Sequence, residues 1–214
     1  MAGCCDPRGY RMVFSEREAR RAVRRFERKG LDATARLMVD ALSKRGIEGA
    51  TVLEVGAGSG TAQVALLEAG AQRSTAYDIS PSYERVAGAL LAGRGLTDRV
   101  DWHTGDFTAA ADAPEAAVVF ANRVVCCYPE MEPLVDAATG RSRRLLALAY
   151  PRDRLRVRFG VKVVNLFLRM RKVPFRVFVH DPDSIAARVE AAGLLPVAGG
   201  ETALWHWRVW ERAA

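Results

Sequence analysis

The stretch from Val52 to Gly60 reads Val-Leu-Glu-Val-Gly-Ala-Gly-Ser-Gly, and its reading decides the fold. Thr51 to Val55 is a short β-rich run, the pattern of a buried strand. The ten residues that follow Gly60, TAQVALLEAG, have helical spacing. Three glycines between strand and helix mark a tight turn, where backbone N–H groups can approach a ligand closely. Open α/β sheets bind their ligands at this carboxyl edge of the strands.

Outward from that turn, strand and helix signals alternate. On the N-terminal side, Ser15 and Glu18 form a capping-box signature for a helix over 15–29, with Ala19, Ala22, Val23 and Phe26 on its apolar stripe. Gly30 ends it, and Asp32 caps the next, whose predicted core face includes Ala35, Met38, Ala41 and Leu42. On the C-terminal side, strands are predicted at 74–78, ahead of Gly105, at 116–121 and at 143–150. Ser80 and Pro81 open a helix, and a weaker helical pattern covers 130–139. FRVFV (175–179) is strand-like, and Asp181 or Asp183 caps a further helix. Two last strand patterns, LLPVAG and ALWHWRVWE, meet at Gly199-Gly200 with no helix between them. Parallel neighbours need a long crossover, so this pair must be antiparallel. The expected fold is α/β: a Rossmann-like, doubly wound, seven-stranded sheet in three layers, closed by a C-terminal antiparallel hairpin. One domain is expected, with N-terminal helices over 1–49, a cofactor-binding core over 50–151, an insertion over 152–174 and a helix with hairpin over 175–214.

The chemistry of the turn narrows the ligand. The glycines stand at 56, 58 and 60. The dinucleotide fingerprint wants the third one residue later, where this chain has Thr61. Glu54 lies just before the loop; its carboxylate suits an ammonium group and would repel a pyrophosphate. Asp78 ends the second strand, where a carboxylate can accept both hydroxyls of a ribose. An amine and a ribose without phosphate describe S-adenosyl-L-methionine. As turn elements alone, the glycines, Asp78 and Asp106 would each have a purely structural reading, but all fall at the same edge of the sheet.

Residues 51 to about 150 resemble class I S-adenosylmethionine-dependent methyltransferases. VLEVGAGSG matches the family's first motif, Asp78 its second, and Gly105-Asp106-Phe107 its third. The resemblance implies that the loop Gly56, Ala57, Gly58 and Gly60, with Glu54, holds the methionine portion. It implies that Asp78 and Ile79 hold the ribose, that Asp106 accepts from the adenine amine and that Phe107 flanks the ring. Asn122, at the end of the fourth strand, completes the implied cofactor set. More loosely, the arginine-rich leading helices and the late apolar helix resemble small-molecule methyltransferases of the magnesium-protoporphyrin O-methyltransferase type.

In that family the loop after the fourth strand, here Ala121 to Pro129, faces the transferable methyl. Asn122 is followed by Arg, which disfavours amide or adenine N-methylation. Tyr128 and Arg123 are the polar candidates for acceptor contact, against aromatic packing and a solvated charge. Tyr128 and His180 are the candidate catalytic residues. His180 reads either as a general base or as a helix-start residue beside the Asp caps. Segment 154–172 carries Arg154, Arg158, Lys162, Asn165, Arg169 and Lys172 on one helical stripe and Leu155, Phe159, Val163, Phe167 and Met170 on another. Three readings stand for it: a lid over a hydrophobic substrate, a surface helix on anionic lipid, or a helix packed on the sheet.

The bulk numbers agree. The chain has 214 residues, 50% hydrophobic and 27% charged, suited to one packed domain rather than disorder or repeats. No signal-peptide core or spanning stretch is present, so a cytoplasmic protein is expected. The paired cysteines, Cys4-Cys5 and Cys126-Cys127, lack zinc-ligand spacing, so free thiols and no metal are expected. The net charge of +7 invites nucleic acid or anionic lipid, but no separate RNA-binding module is visible. The expected activity is O-methylation of a small, partly hydrophobic acceptor. An RNA methyltransferase and a non-catalytic cofactor-binding module are the rivals.

Overall fold

The computed structural model describes residues 7–213. Seven strands alternate with helices. The strands are β1 (Thr51–Val55), β2 (Arg73–Asp78), β3 (Val100–Thr104), β4 (Ala116–Asn122), β5 (Ser142–Pro151), β6 (Leu194–Glu201) and β7 (Trp205–Arg212). The helices are α1 (Pro7–Val13), α2 (Glu16–Lys29), α3 (Ala33–Ser43), α4 (Thr61–Glu68), α5 (Pro81–Gly93), α6 (Glu132–Arg141), α7 (Leu155–Met170) and α8 (Pro182–Ala191).

The sheet order is β3-β2-β1-β4-β5-β7-β6. The first five strands pair in parallel, and β7 runs antiparallel to both β5 and β6. Alternation along β1 splits the core in two. Leu53 and Val55 face a cluster with Val119, Leu146, Leu134 and Ile185, under α6 and α8. Val52 faces the opposite cluster with Val118, Phe120, Met38, Leu42, Val64 and Leu90, under α3, α4 and α5. Two apolar faces on one sheet require helical cover on both sides, which gives the three layers. Strand order turns back beside β1: the chain builds outward through β2 and β3, then crosses over to β4 on the other side of β1. That switch point opens a crevice at the carboxyl ends of β1 and β4.

Local capping is as the sequence predicts in three places. The Ser15 hydroxyl accepts from Glu18 N, Asp32 caps α3 from Thr34 N and Ala35 N, and Asp181 caps α8. Elsewhere the structure corrects the expectation. Ser80 precedes α5 but makes no side-chain cap; its hydroxyl donates to the Phe14 carbonyl at 2.9 Å. FRVFV forms no strand, because its backbone is spent on other partners: Val177 bonds the Asn165 side chain and Phe178 N donates to the Cys126 carbonyl. Gly199 and Gly200 are not the hairpin turn. They pair with Arg208 and Trp207 inside the ladder, and a Cβ on Gly200 would meet the Trp207 indole at 3.1 Å. The turn lies at 202–204, closed by Thr202 N donating to the Trp205 carbonyl. Helix α1 has no counterpart among the sequence expectations. The reading of 154–172 as a helix packed on the sheet also fails, since α7 has no buried residue.

Cys126 and Cys127 are free thiols; Cys4 and Cys5 lie outside the described residues. Among the described residues, no helix is long and apolar enough to cross a membrane.

Candidate active site

The crevice at the switch point is a cleft of about 210 Å³. Its floor is the glycine turn. Gly56, Gly58 and Gly60 all have positive φ, at 67°, 57° and 75°. Only glycine takes that backbone freely. A Cβ on Gly56 would also sit 2.4 Å from a Val124 methyl. The loop is therefore pressed against the β4 loop with backbone alone facing the cleft. Gly60 does other work: it starts α4 and lets that helix pack on Ala87, 3.1 Å from a would-be Cβ.

Asp78 forms the wall beside this floor. One carboxylate oxygen accepts from Gly58 N at 2.7 Å, the other from Ser80 N at 2.8 Å. Burial nevertheless dominates over these two bonds and raises the carboxyl pKa to about 6. Each oxygen retains a lone pair toward the cleft, the requirement for accepting ribose hydroxyls. Glu54 lies beneath the loop rather than in the cleft. Its side chain is buried, Oε2 has no hydrogen-bond partner among the described residues, and burial followed by the nearby Asp78 charge holds its pKa well above the ordinary range.

Of the residues singled out from sequence, the cleft is lined by Gly56, Gly58, Asp78, Ile79, Gly105, Phe107, Asn122, Arg123, Cys127 and Tyr128. Glu54, Ala57, Gly60, Asp106 and His180 stand behind that surface. Asp106 is occupied locally: one oxygen accepts from Thr108 N, from the Thr108 hydroxyl and from the Tyr128 hydroxyl, the last at 2.8 Å. Its other oxygen is the one left for a ligand. His180 reaches the same loop from outside, with Nε2 donating to the Tyr128 carbonyl at 2.8 Å. It positions Tyr128 and does not touch the cleft.

Asn122 donates to Asp32 at 3.2 Å, and its buried Oδ1 has no partner among the described residues. Arg123 is strained, with φ of 64° on a non-glycine residue. It pairs with Asp32 at 2.6 Å and stacks its guanidinium 4.7 Å from the Trp205 ring. These contacts hold the backbone at the mouth of the cleft in its unusual conformation.

Sequence reading missed the roof. Tyr10 and Phe14, from α1 and the turn after it, line the cleft opposite the glycine loop, with Tyr83 beside them. The Tyr10 hydroxyl donates to the Cys127 carbonyl at 2.9 Å. Phe175 packs edge-on against Tyr10 and Phe14, at 5.2 and 5.4 Å between ring centroids. Gly9 permits this approach, since a Cβ there would lie 2.1 Å from the Pro174 carbonyl oxygen. The only sequence signal for the roof was an aromatic at 10 and another at 14, one helical turn apart.

Positive-φ glycines, an acceptor carboxylate, an orphaned Asn122 oxygen and the apolar Phe107 on the cleft wall fit S-adenosylmethionine. Known proteins agree. Residues 52–147 match a family described as methyltransferase domain. Ribosomal protein L11 methyltransferases of Aeromonas hydrophila and Geobacter metallireducens are 31% and 39% identical to this chain, over 56% and 44% of it. The chain spans 40% and 29% of the length of these two curated relatives. Among solved structures, magnesium protoporphyrin IX methyltransferase from Synechocystis with bound S-adenosylhomocysteine superposes with a TM-score of 0.68 at 19% identity, covering 95% of this chain and 98% of that one. An O-methyltransferase family 2 protein from Planctomyces limnophilus, in complex with apigenin, gives 0.66 at 20% identity, covering 91% and 62%. Residues 52–147 are therefore similar to a methyltransferase domain, and the chain has the fold of these solved methyltransferases.

Proposed function

We propose that the protein transfers a methyl group from S-adenosylmethionine to a small, partly hydrophobic acceptor, with an oxygen as the favoured methyl-accepting atom. One observation carries this reading: the cleft over the glycine turn is covered in part by the aromatic side chains of Tyr10 and Phe14, and its lining is mainly apolar. A roofed, apolar cleft suits a small molecule, whereas a macromolecular acceptor wants an open groove.

The cofactor supplies an electrophilic methyl on a sulfonium, so positioning and exclusion of water can provide much of the catalysis. Gly56 and Gly58 bring bare backbone up to the cofactor, their N–H groups being held by the Tyr77 carbonyl and the Asp78 carboxylate; Asp78 and Ile79 form the ribose wall, and Phe107 an apolar face. Tyr10, Phe14, Tyr83 and Val124 keep water from the region beside the methyl. Burial holds the Tyr83 phenol far above its usual pKa, so it stays neutral there. Tyr128 is the residue proposed to meet the acceptor. Its hydroxyl, tied to the Asp106 carboxylate, can pass a proton on to that carboxylate as it takes one from the acceptor oxygen. His180 keeps Tyr128 in register from behind.

A protein acceptor is the second reading, favoured by the named activity of the relatives with 31–39% identity. Radiolabelled methyl transfer separates the readings: small aromatic alcohols and carboxylates, ribosomal protein L11 and bulk RNA are offered in parallel. Label in the small-molecule fraction, reduced at least ~100-fold by Tyr128→Phe, is expected if the tyrosine is the proton acceptor. Label in protein or RNA alone overturns the proposal.

A further inference from the structure

Helix α7 turns its apolar side outward. Leu155, Phe159, Val163, Leu166 and Met170 recur every three or four residues and so share one face. They are 87%, 69%, 50%, 58% and 70% exposed, and Phe167 extends the same arc. The inward face is narrow, made by Val157, Val161, Asn165 and Leu168, all only half-buried. Asn165 holds the helix down by a two-way bond to the Val177 backbone, at 2.7 and 2.8 Å. Soluble helices place their apolar stripe toward the core. This one does the reverse, and among the described residues seven of the eleven large exposed hydrophobic side chains belong to it.

Charge identifies what covers it. Residues 154–180 contain eight Lys and Arg and no Asp or Glu, against a net charge of +7 for the entire chain. Lys162 and Arg169 run along one flank of the apolar arc beside Arg158, which is paired with Asp153; Arg156 lies on the other flank, and Arg154, Arg171 and Lys172 stand at the two ends. A second copy would bring the same cations face to face, which disfavours a symmetric pairing. A nucleic acid would have no use for the apolar centre. We infer that α7 is a docking face for an anionic phospholipid bilayer, lying flat with Phe159, Leu166 and Met170 in the acyl boundary and its cations among the phosphates. The segment that follows α7 carries Phe175 to the roof aromatics Tyr10 and Phe14, so docking surface and cleft roof share one stretch of chain. The inference stands on this surface and does not depend on which acceptor is methylated.

Co-sedimentation tests it, using the full chain with vesicles of phosphatidylcholine alone or with roughly one-third phosphatidylglycerol. Binding to the anionic vesicles is expected, weakening as salt shortens the screening length. The pair Phe159→Ser and Phe167→Ser alters only exposed side chains, so an unchanged melting temperature and at least ~10-fold weaker vesicle binding are expected. Lys162→Glu with Arg169→Glu should abolish the preference for phosphatidylglycerol. Equal or absent binding to both vesicles overturns the inference, as does binding that survives the serine pair. A wild-type dimer that the serine pair dissociates would assign the face to a second copy instead.

Discussion

Replacing Asp78 with Asn separates stability from binding, and the structure gives both magnitudes. The carboxyl has a pKa of about 6 in the folded protein, against an ordinary 3.8. A folded pKa raised in this way gives stability that is complete below the unfolded value and lost as pH rises through about 6. A carboxyl held that far above its ordinary range carries roughly 3 kcal/mol of burial cost at pH 7. Asp78→Asn removes that cost but leaves one of two backbone N–H groups, on Gly58 or Ser80, without its acceptor, at about 1 kcal/mol. The variant should therefore melt at the same temperature as wild type or above it at pH 7.5. Binding should move the other way. If ribose hydroxyls bond the carboxylate, affinity follows the ionised fraction, which falls about tenfold between pH 7 and pH 5 for a pKa near 6. Calorimetric titration with S-adenosylhomocysteine from pH 5 to 8 should show that loss in wild type. The variant should bind at least ~10-fold more weakly at pH 7.5 and lose the pH dependence. A wild-type affinity flat across this range, or a variant with the same slope, would refute the role given to Asp78.

Two further substitutions probe the parts that sequence did not place. Glu54→Gln keeps the shape of a buried group whose pKa is raised by burial. It should leave S-adenosylhomocysteine affinity within about twofold and flatten the fall in melting temperature as pH rises above the usual carboxylate range. A tenfold loss of affinity would instead give Glu54 the ammonium contact expected from the motif. Gly9→Ala forces a methyl to within 2.1 Å of the Pro174 carbonyl, so α1 must lift from the strap. Cofactor affinity should drop several-fold, with limited proteolysis newly cutting near residue 14; unchanged affinity would detach the roof from cofactor binding.

The elements legible in the sequence are those whose signals are local. β1, the glycine turn and α4 are read from one continuous stretch, because a buried strand, a positive-φ turn and a helix each leave a signature within a few residues. The hairpin followed from a missing crossover, a constraint on chain length rather than on any side chain. FRVFV shows the limit. Its pattern is that of a strand, yet Asn165 and Cys126 take its backbone bonds. Gly199-Gly200 misled for a related reason: glycine serves a turn and a close cross-strand indole equally well, and only the partner strand tells which.

The same division runs through the site. The part proposed to hold the cofactor is built from short segments whose chemistry is written in order along the chain: Gly56 and Gly58, Asp78 and Ile79, Phe107. The part proposed to meet the acceptor is assembled from Tyr10, Phe14, Tyr83, Arg123 and Tyr128, spread across 119 positions and joined only by contacts such as Tyr10 to the Cys127 carbonyl. No local pattern distinguishes Tyr10 from any other helical tyrosine. What selects it is Gly9, which lets α1 touch Pro174, and Phe175, which follows a helix that faces away from the protein. A substitution in that outward helix can therefore reach the cleft through Phe175 and the roof aromatics it packs on.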